Sequence, residues 1–176
     1  MKKAVSLAVC SVVTALSVIL LFLGGITYIL AYAMPMFVGF FMIMLKRTFG
    51  TSSAWITYAA TSALSFMLIS DKECMLMYVL FFGFYPIIKS GFNKISSNIL
   101  RLIVKLLLFN VLFAAVQVLL VYVFGIPFLE EGEAVYLAVV FMLLMNFVFL
   151  IYDRLINKIE KLYILKIEKR IKKLLK

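Results

Sequence analysis

The sequence predicts an all-α membrane protein: a six-transmembrane-helix bundle over residues 1–152, with a C-terminal basic amphipathic cytoplasmic helix over residues 153–176. Three observations support this prediction: the composition, six long apolar runs, and a one-sided distribution of basic residues. Apolar residues make up 66% of the 176-residue chain and charged residues only 15%, whereas soluble domains carry roughly 45–50% and about 25%. A soluble domain of this size cannot bury so much apolar surface, so membrane lipid is its expected surrounding.

Six apolar runs can form the spans, because a helix of about 20 apolar residues crosses the hydrocarbon core. The third and fourth runs are the shortest. Pro35 interrupts the second run and Pro86 lies near the end of the fourth, where each is expected to kink the helix and free a carbonyl. The runs are Ala4–Leu23, Ile26–Leu45, Ser53–Ile69, Cys74–Ile88, Ile99–Phe124 and Ala134–Tyr152.

The distribution of charges supports both the number of spans and their orientation. With the N-terminus inside, all of the 18 lysines and arginines except Lys72 fall in cytoplasmic segments or at their edges. Arg101 and Lys105, early in the fifth run, are expected to extend to the inner surface. Because lysine and arginine are retained on the cytoplasmic side, we expect a multi-pass plasma-membrane protein with both termini in the cytoplasm. The outer loops instead hold Asp71, Glu73, Glu130, Glu131 and Glu133.

The segment 153–176 is too charged to span a membrane. Its apolar residues recur at helical spacing with lysines between them, the pattern of a basic amphipathic helix. Such a helix can lie on the anionic inner leaflet, pack on a cytoplasmic partner, or serve only as a topology anchor. The apolar residues are Ile156, Ile159, Tyr163, Ile167, Ile171 and Leu174.

The motif content argues against an enzyme. The chain has no histidine, and it shows no phosphate-binding glycine loop, nucleophile elbow or zinc motif. Cys10 and Cys74 lie in apolar surroundings without a CxxC pattern, so we interpret them as packing residues. We therefore expect no catalytic residue, metal or cofactor. The net charge of +10 follows from membrane topology, so no nucleic-acid partner is expected.

Uncharged polar residues within spans are the candidates for substrate binding, since such residues are costly in a membrane and often functional. Asn110 and Gln117 lie two turns apart on the fifth span, and Asn146 lies at the depth of Asn110, so the two asparagines can instead form a structural hydrogen bond. Tyrosines near the outer ends can line a pocket or anchor the helices at the interface. The acidic outer loops are interpreted as solvated, with capture of a cationic ligand as the alternative. The candidate binding residues are Tyr78, Gln117, Tyr122, Tyr136, Asn110 and Asn146.

Small residues recur four apart on the first span, as Ala4 with Ala8 and Ser11 with Ala15. Residues at this spacing share a helix face, and small side chains let membrane helices approach closely. Cys10 and Thr14 form another such pair. This face either packs within the bundle or docks on another membrane subunit.

The stretch Ala4-Val5-Ser6-Leu7-Ala8, extended by Ser11 and Ala15, resembles the small-residue face on the first helix of the S-components of energy-coupling factor transporters. Those proteins are six-span bundles with both termini inside. The resemblance implies capture of a small molecule, such as a vitamin, in an outward pocket. It also implies docking of Ala4, Ala8, Ser11 and Ala15 on a transmembrane coupling subunit, with energy supplied by separate ATPase subunits.

A second hypothesis is a non-transporting membrane scaffold of a multi-protein complex, of the cell-wall elongation type. Under this hypothesis the first span and the basic tail are the working surfaces. The outer half of the bundle would then be filled by side chains, whereas an importer subunit would leave a pocket there.

Overall fold

The computed structural model describes residues 2–92, 94–127 and 135–168, and within these ranges the regular secondary structure is entirely helical. The predicted all-α class is confirmed for this part of the chain. A π-helical segment, Tyr78–Phe82, connects α4 to α5, and a second one, Tyr163–Glu168, continues α7. The helices are α1 (Lys2–Gly24), α2 (Tyr28–Phe49), α3 (Thr51–Leu68), α4 (Lys72–Met77), α5 (Tyr85–Phe92), α6 (Asn98–Tyr122) and α7 (Val135–Leu162).

The helices run back and forth between two ends of a bundle, with α2 at its centre in contact with α1, α3, α4, α5 and α7. At one end, here called the acidic end, the α1–α2 turn meets the α3–α4 loop: a Cβ on Gly25 would lie 2.9 Å from Asp71 Cβ. The opposite end, called the basic end, holds Lys46, which donates to Ile87 O, and the ion pairs of Arg47 with Glu160 and of Lys89 and Lys105 with Asp153. The charges are thus separated along the bundle, and which end faces the cytoplasm stays a prediction.

Five of the described helices are long and apolar enough to cross a membrane, and they match the first, second, fourth, fifth and sixth predicted spans. The exception is α3, the predicted third span, whose 18 residues include seven serines and threonines. It nevertheless runs the length of the bundle, since Ser53 Oγ lies 3.2 Å from Ser6 Oγ at the basic end and Ile69 lies beside Gly25 at the acidic end. The sixth membrane crossing therefore stays a prediction.

The π-helical segment leaves one backbone carbonyl of the fourth span without its usual donor. Gly83 N–H donates to Tyr78 O at 2.8 Å, one residue further back than in an α-helix. Val79 O consequently loses the Gly83 amide, and the Tyr58 hydroxyl of α3 donates to this oxygen at 2.7 Å. A side chain from a neighbouring helix thus satisfies the carbonyl, which an apolar environment requires.

Pro86 creates a second such position, because proline has no N–H to offer the carbonyl four residues earlier. That carbonyl is Phe82 O, and the buried Tyr152 hydroxyl of α7 donates to it at 3.2 Å. Gly39 of α2 permits this approach, because a Cβ there would overlap both Tyr152 Oη and Phe82 O. The predicted proline effect is thus observed as a freed carbonyl, and three helices meet at it.

An aromatic core fills the bundle between α5, α6 and α7. The rings of Phe109 and Phe149 stack with centroids 4.8 Å apart and an interplanar angle of 4°. Phe81 meets both edge-on and stacks on Tyr85 at 5.0 Å. The core reaches the basic end, where the Tyr85 hydroxyl donates to Asp153.

The predicted tail begins inside a continuous helix, since α7 runs without interruption across residues 152 and 153. Ile156 and Tyr163 are buried, the Tyr163 and Thr48 hydroxyls form a hydrogen bond, and Arg47 Nε donates to Glu160 Oε1 at 2.6 Å. The first part of the tail therefore packs on the C-terminal end of α2. The predicted apolar positions Ile167, Ile171 and Leu174 lie outside the described side chains.

Candidate functional site

A cavity of about 450 Å³ lies near the acidic end, between α2, α4, α6 and α7. Small-molecule sites in proteins have volumes of roughly 300–1,000 Å³ and are mostly apolar with a few polar groups. This cavity fits that description, because among the described residues its polar side chains are Tyr32, Glu73 and Gln117 and the others in its wall are apolar. The apolar wall includes Leu120 of α6 and Leu137, Ala138, Val140 and Phe141 of α7.

The polar residues gather in one corner of the cavity. The Tyr32 hydroxyl of α2 donates to Glu73 Oε1 of α4, and the Tyr32 ring meets Phe141 edge-on with centroids 6.0 Å apart. Gln117 of α6 interacts with the Glu73 carboxylate from the third side. Its Nε2 is buried and makes no well-formed hydrogen bond within the described residues. Three helices thus converge on one carboxylate.

Local capping explains why Glu73 faces the cavity. Asp71 is the N-cap of α4, where its carboxylate accepts a hydrogen bond from Cys74 N–H at 2.8 Å. Glu73 then falls in the first helical turn, where the helix dipole favours a negative charge. The two acidic residues therefore have different roles: Asp71 begins the helix and Glu73 lines the cavity.

Lys72, which lies between these acidic residues in sequence, does not neutralise Glu73. Its Nζ donates to Ile69 O at 3.0 Å and lies 5.9 Å from the centroid of the Phe124 ring. In the described ranges no lysine or arginine lies at ion-pair distance from Glu73. The Glu73 carboxylate accepts a hydrogen bond from the Tyr32 hydroxyl and otherwise faces Gln117 and the cavity.

The predicted mutual hydrogen bond of the two asparagines is confirmed. Asn110 Nδ2 donates to Asn146 Oδ1 at 2.8 Å, and Asn146 Nδ2 donates to Asn110 Oδ1 at 2.9 Å. Each amide also donates to its own helix, to Leu106 O and Met142 O. All four amide protons are used, so the pair joins α6 to α7 and leaves no donor for a ligand. It lies two turns below Gln117, about 10 Å along α6.

The three predicted binding tyrosines lie away from the described cavity wall, and a binding role for them stays a prediction. Tyr78 is fully buried on the π-helical segment, with its ring 6.0 Å from that of Tyr58. Tyr122 and Tyr136 are 84% and 66% exposed near the acidic end, where tyrosines commonly anchor helices at the membrane interface. Of the predicted residues, Gln117 is the one that lines the cavity.

Sequence reasoning missed Tyr32 entirely and treated Glu73 as a loop residue. Tyr32 lies in the first turns of α2 and Glu73 in the first turn of α4, so both fall where outer helix ends gather. Their similar depth in the bundle was the feature of the sequence that could have suggested a contact between them. Their contact joins residues 41 positions apart, which composition and spacing do not indicate.

The small residues of α1 divide between two faces. Cys10 and Thr14 are buried, and Cys10 Sγ lies 3.9 Å from Ser53 O of α3. The four predicted docking residues instead lie on the outward face, where the large side chains of Leu7 and Val12 are also exposed. The small-residue pairs of this outward face therefore do not pack within the bundle. The residues are Ala4, Ala8, Ser11 and Ala15.

At the basic end, two buried lysines share one carboxylate. Lys89 Nζ lies 2.7 Å from Asp153 Oδ1 and Lys105 Nζ lies 3.0 Å from Asp153 Oδ2. The Tyr85 hydroxyl donates to the same carboxylate at 2.5 Å. Lys105, predicted to extend to the inner surface, has a side chain only 7% exposed and is paired with Asp153 within the bundle, and its depth in the membrane stays a prediction. This cluster joins α5, α6 and α7.

Among the described residues, no group of three histidine, cysteine or acidic side chains is placed to hold a metal ion. No protein-family model, curated protein or solved structure matches the chain.

Proposed function

We propose that this chain is the substrate-capturing membrane subunit of a multi-component importer of the energy-coupling factor type. It binds a small molecule in the cavity between α2, α4, α6 and α7 and delivers it with partner subunits. The observation that supports this proposal is the cavity itself, whose volume and polar corner suit a small ligand. A scaffold would be expected to fill this half of the bundle with side chains.

The outward face of α1 supports docking on a transmembrane coupling subunit. Ala4, Ala8, Ser11 and Ala15 are exposed along one side of α1, and small residues permit close helix contact in a membrane. The basic end would face the cytoplasm, where the separate ATPase subunits supply the energy. In this orientation the cavity opens toward the outside, both termini are cytoplasmic, and the chain itself performs no catalysis.

Ligand capture is tested by purifying the protein from its native membranes and identifying bound small molecules by mass spectrometry. Ala138→Trp fills the cavity, whereas Val139→Trp adds the same ring at the next position, which is 56% exposed and outside the cavity wall. We expect the bound molecule to be lost from Ala138→Trp and retained by Val139→Trp. A wild-type protein without any bound molecule, or equal retention by both variants, would refute ligand capture in this cavity.

Docking is tested by co-purification of the native complex after mild cross-linking. Ala8→Trp places a large ring on the outward face of α1, and Val139→Trp again serves as the control. We expect Ala8→Trp to lose a transmembrane partner and its ATPases while the bundle keeps its thermal stability, because Ala8 is exposed. If no ATPase co-purifies with the wild-type chain, the importer assignment fails and the scaffold hypothesis is favoured.

A further inference from the structure

The Glu73 carboxylate lacks a cationic partner in the part of the chain that the structure describes. It is half-buried beside Tyr32 and Gln117 in the wall of the cavity. Removing a carboxylate from water is costly unless another charge or several hydrogen bonds replace the water. The Tyr32 hydroxyl and the Gln117 amide face it, and together they fill at most two of the about four acceptor positions that a carboxylate offers. The cavity therefore contains unused capacity to accept hydrogen bonds from a positively charged group.

The surroundings of this carboxylate favour an organic cation over a metal ion. Metal ions of biological sites usually take several protein ligands, and among the described residues Glu73 is the only carboxylate in the cavity wall. The cavity of about 450 Å³ is far larger than an ion requires. The Tyr32 hydroxyl meets the carboxylate, and the Phe141 ring lies 6.0 Å from the Tyr32 ring in the same cavity wall. Aromatic faces attract ammonium groups as well as apolar surface.

The remaining wall of the cavity indicates the chemical character of the part of the ligand that does not contact Glu73. It is formed by aliphatic residues of α6 and α7, including Leu120, Leu137 and Val140. Leu137 and Val140 are also 41% and 48% exposed, so the cavity is open beside α7 and can admit an apolar group. The carboxylate and the apolar wall together fit a molecule with one charged and one apolar part.

Resting on the proposed function, we propose that this cavity selects an organic ammonium compound with an apolar portion. The ammonium group binds Glu73 beside Tyr32, and the apolar portion packs against α6 and α7. An anionic ligand is disfavoured at this site because its charge would meet the Glu73 carboxylate.

The experiment measures binding of three probes of similar size to the full chain in lipid nanodiscs by calorimetry. The probes are phenethylammonium, its neutral counterpart 2-phenylethanol, and the anion 3-phenylpropionate. We expect the wild-type protein to bind phenethylammonium at least about tenfold more tightly than the other two. Equal affinity for the three probes, tighter binding of the anion, or no binding of the cation at millimolar concentration would overturn the proposal.

Glu73→Gln keeps the shape of the side chain and removes its charge, and should weaken phenethylammonium binding about tenfold or more. Glu160→Gln removes a carboxylate from the basic end, where Glu160 pairs with Arg47, and should leave binding unchanged. The wild-type preference among probes tests the proposal even if Glu73→Gln does not fold. If cation binding survives Glu73→Gln but is lost in Ala138→Trp, the ligand binds in the cavity and its selection by the Glu73 charge is refuted. If binding is unaffected by Ala138→Trp, the cavity itself is refuted as the capture site.

Discussion

Replacing Asp153 by asparagine removes the one carboxylate that two buried lysines share. Lys89 and Lys105 are 5% and 7% exposed in their side chains, and their Nζ atoms lie 2.7 and 3.0 Å from the two carboxylate oxygens. The asparagine would keep the size of the native side chain and lose its charge. Both lysines would then lack a carboxylate at ion-pair distance among the described residues.

The magnitude follows from these distances. At an effective dielectric constant of about 20, a pair at 2.7 Å attracts by about 6 kcal/mol and one at 3.0 Å by about 5.5 kcal/mol. Repulsion between the two lysines and the cost of desolvation offset much of this attraction. Breaking a buried ion pair by removing one partner typically costs about 3–5 kcal/mol, and we expect Asp153→Asn to fall in this range.

The assay is reversible unfolding of the purified protein in detergent micelles, followed by circular dichroism. Glu160→Gln is the control, because its pair with the 45% exposed Arg47 is screened by solvent and should contribute at most about 1 kcal/mol. Replacing all three charges together, with Lys89→Met, Lys105→Met and Asp153→Leu, should recover most of the lost stability. A loss below about 1 kcal/mol for Asp153→Asn would contradict the assignment of this cluster as a buried ion triad.

Four further substitutions test the contacts between helices by the same unfolding measurement. Tyr152→Phe removes the donor to Phe82 O and should cost about 0.6 kcal/mol, the average for hydrogen bonds between membrane helices, and at most about 1.7 kcal/mol; an unchanged stability would contradict this contact. Gly39→Ala should cost more than Tyr152→Phe, because its Cβ would overlap Tyr152 Oη and the Phe82 carbonyl, and equal costs would argue against the close approach. Asn110→Ala and Asn146→Ala should each destabilise the bundle, with the double variant losing less than the sum; strict additivity would show that the amides do not interact.

The positions of the helices could be predicted from the sequence because they follow from local runs of apolar residues. The predicted first span, Ala4–Leu23, and α1, Lys2–Gly24, agree to within two residues at each end. The third span is the weak point, since α3 buries a stripe of small and hydroxyl residues, Ala54, Thr57, Thr61 and Ser65, against the bundle and exposes apolar residues such as Phe66 and Met67 on its other side. Its length alone did not establish whether it crosses the membrane.

The candidate site was less predictable, because it depends on contacts between helices distant in sequence. Gln117 and the Asn110–Asn146 pair could be predicted from the sequence, since polar residues stand out within apolar runs and their depth along the helix can be counted. Tyr32 was not, because its only distinction is that it meets Glu73 from another helix. Polar partners that lie in loops or near helix ends carry no periodic signal.

The shared carboxylate of Asp153 also bears on the order in which the protein is synthesised. Lys89 and Lys105 emerge from the ribosome in the predicted fourth and fifth spans or at their ends, whereas the carboxylate that they share, Asp153, arrives later on α7. Until that helix has entered the membrane, the two lysines must remain hydrated or at the surface. The helices around these lysines can therefore pack together only after residue 153 has been synthesised. A chain truncated before this residue would retain two lysines without their carboxylate partner.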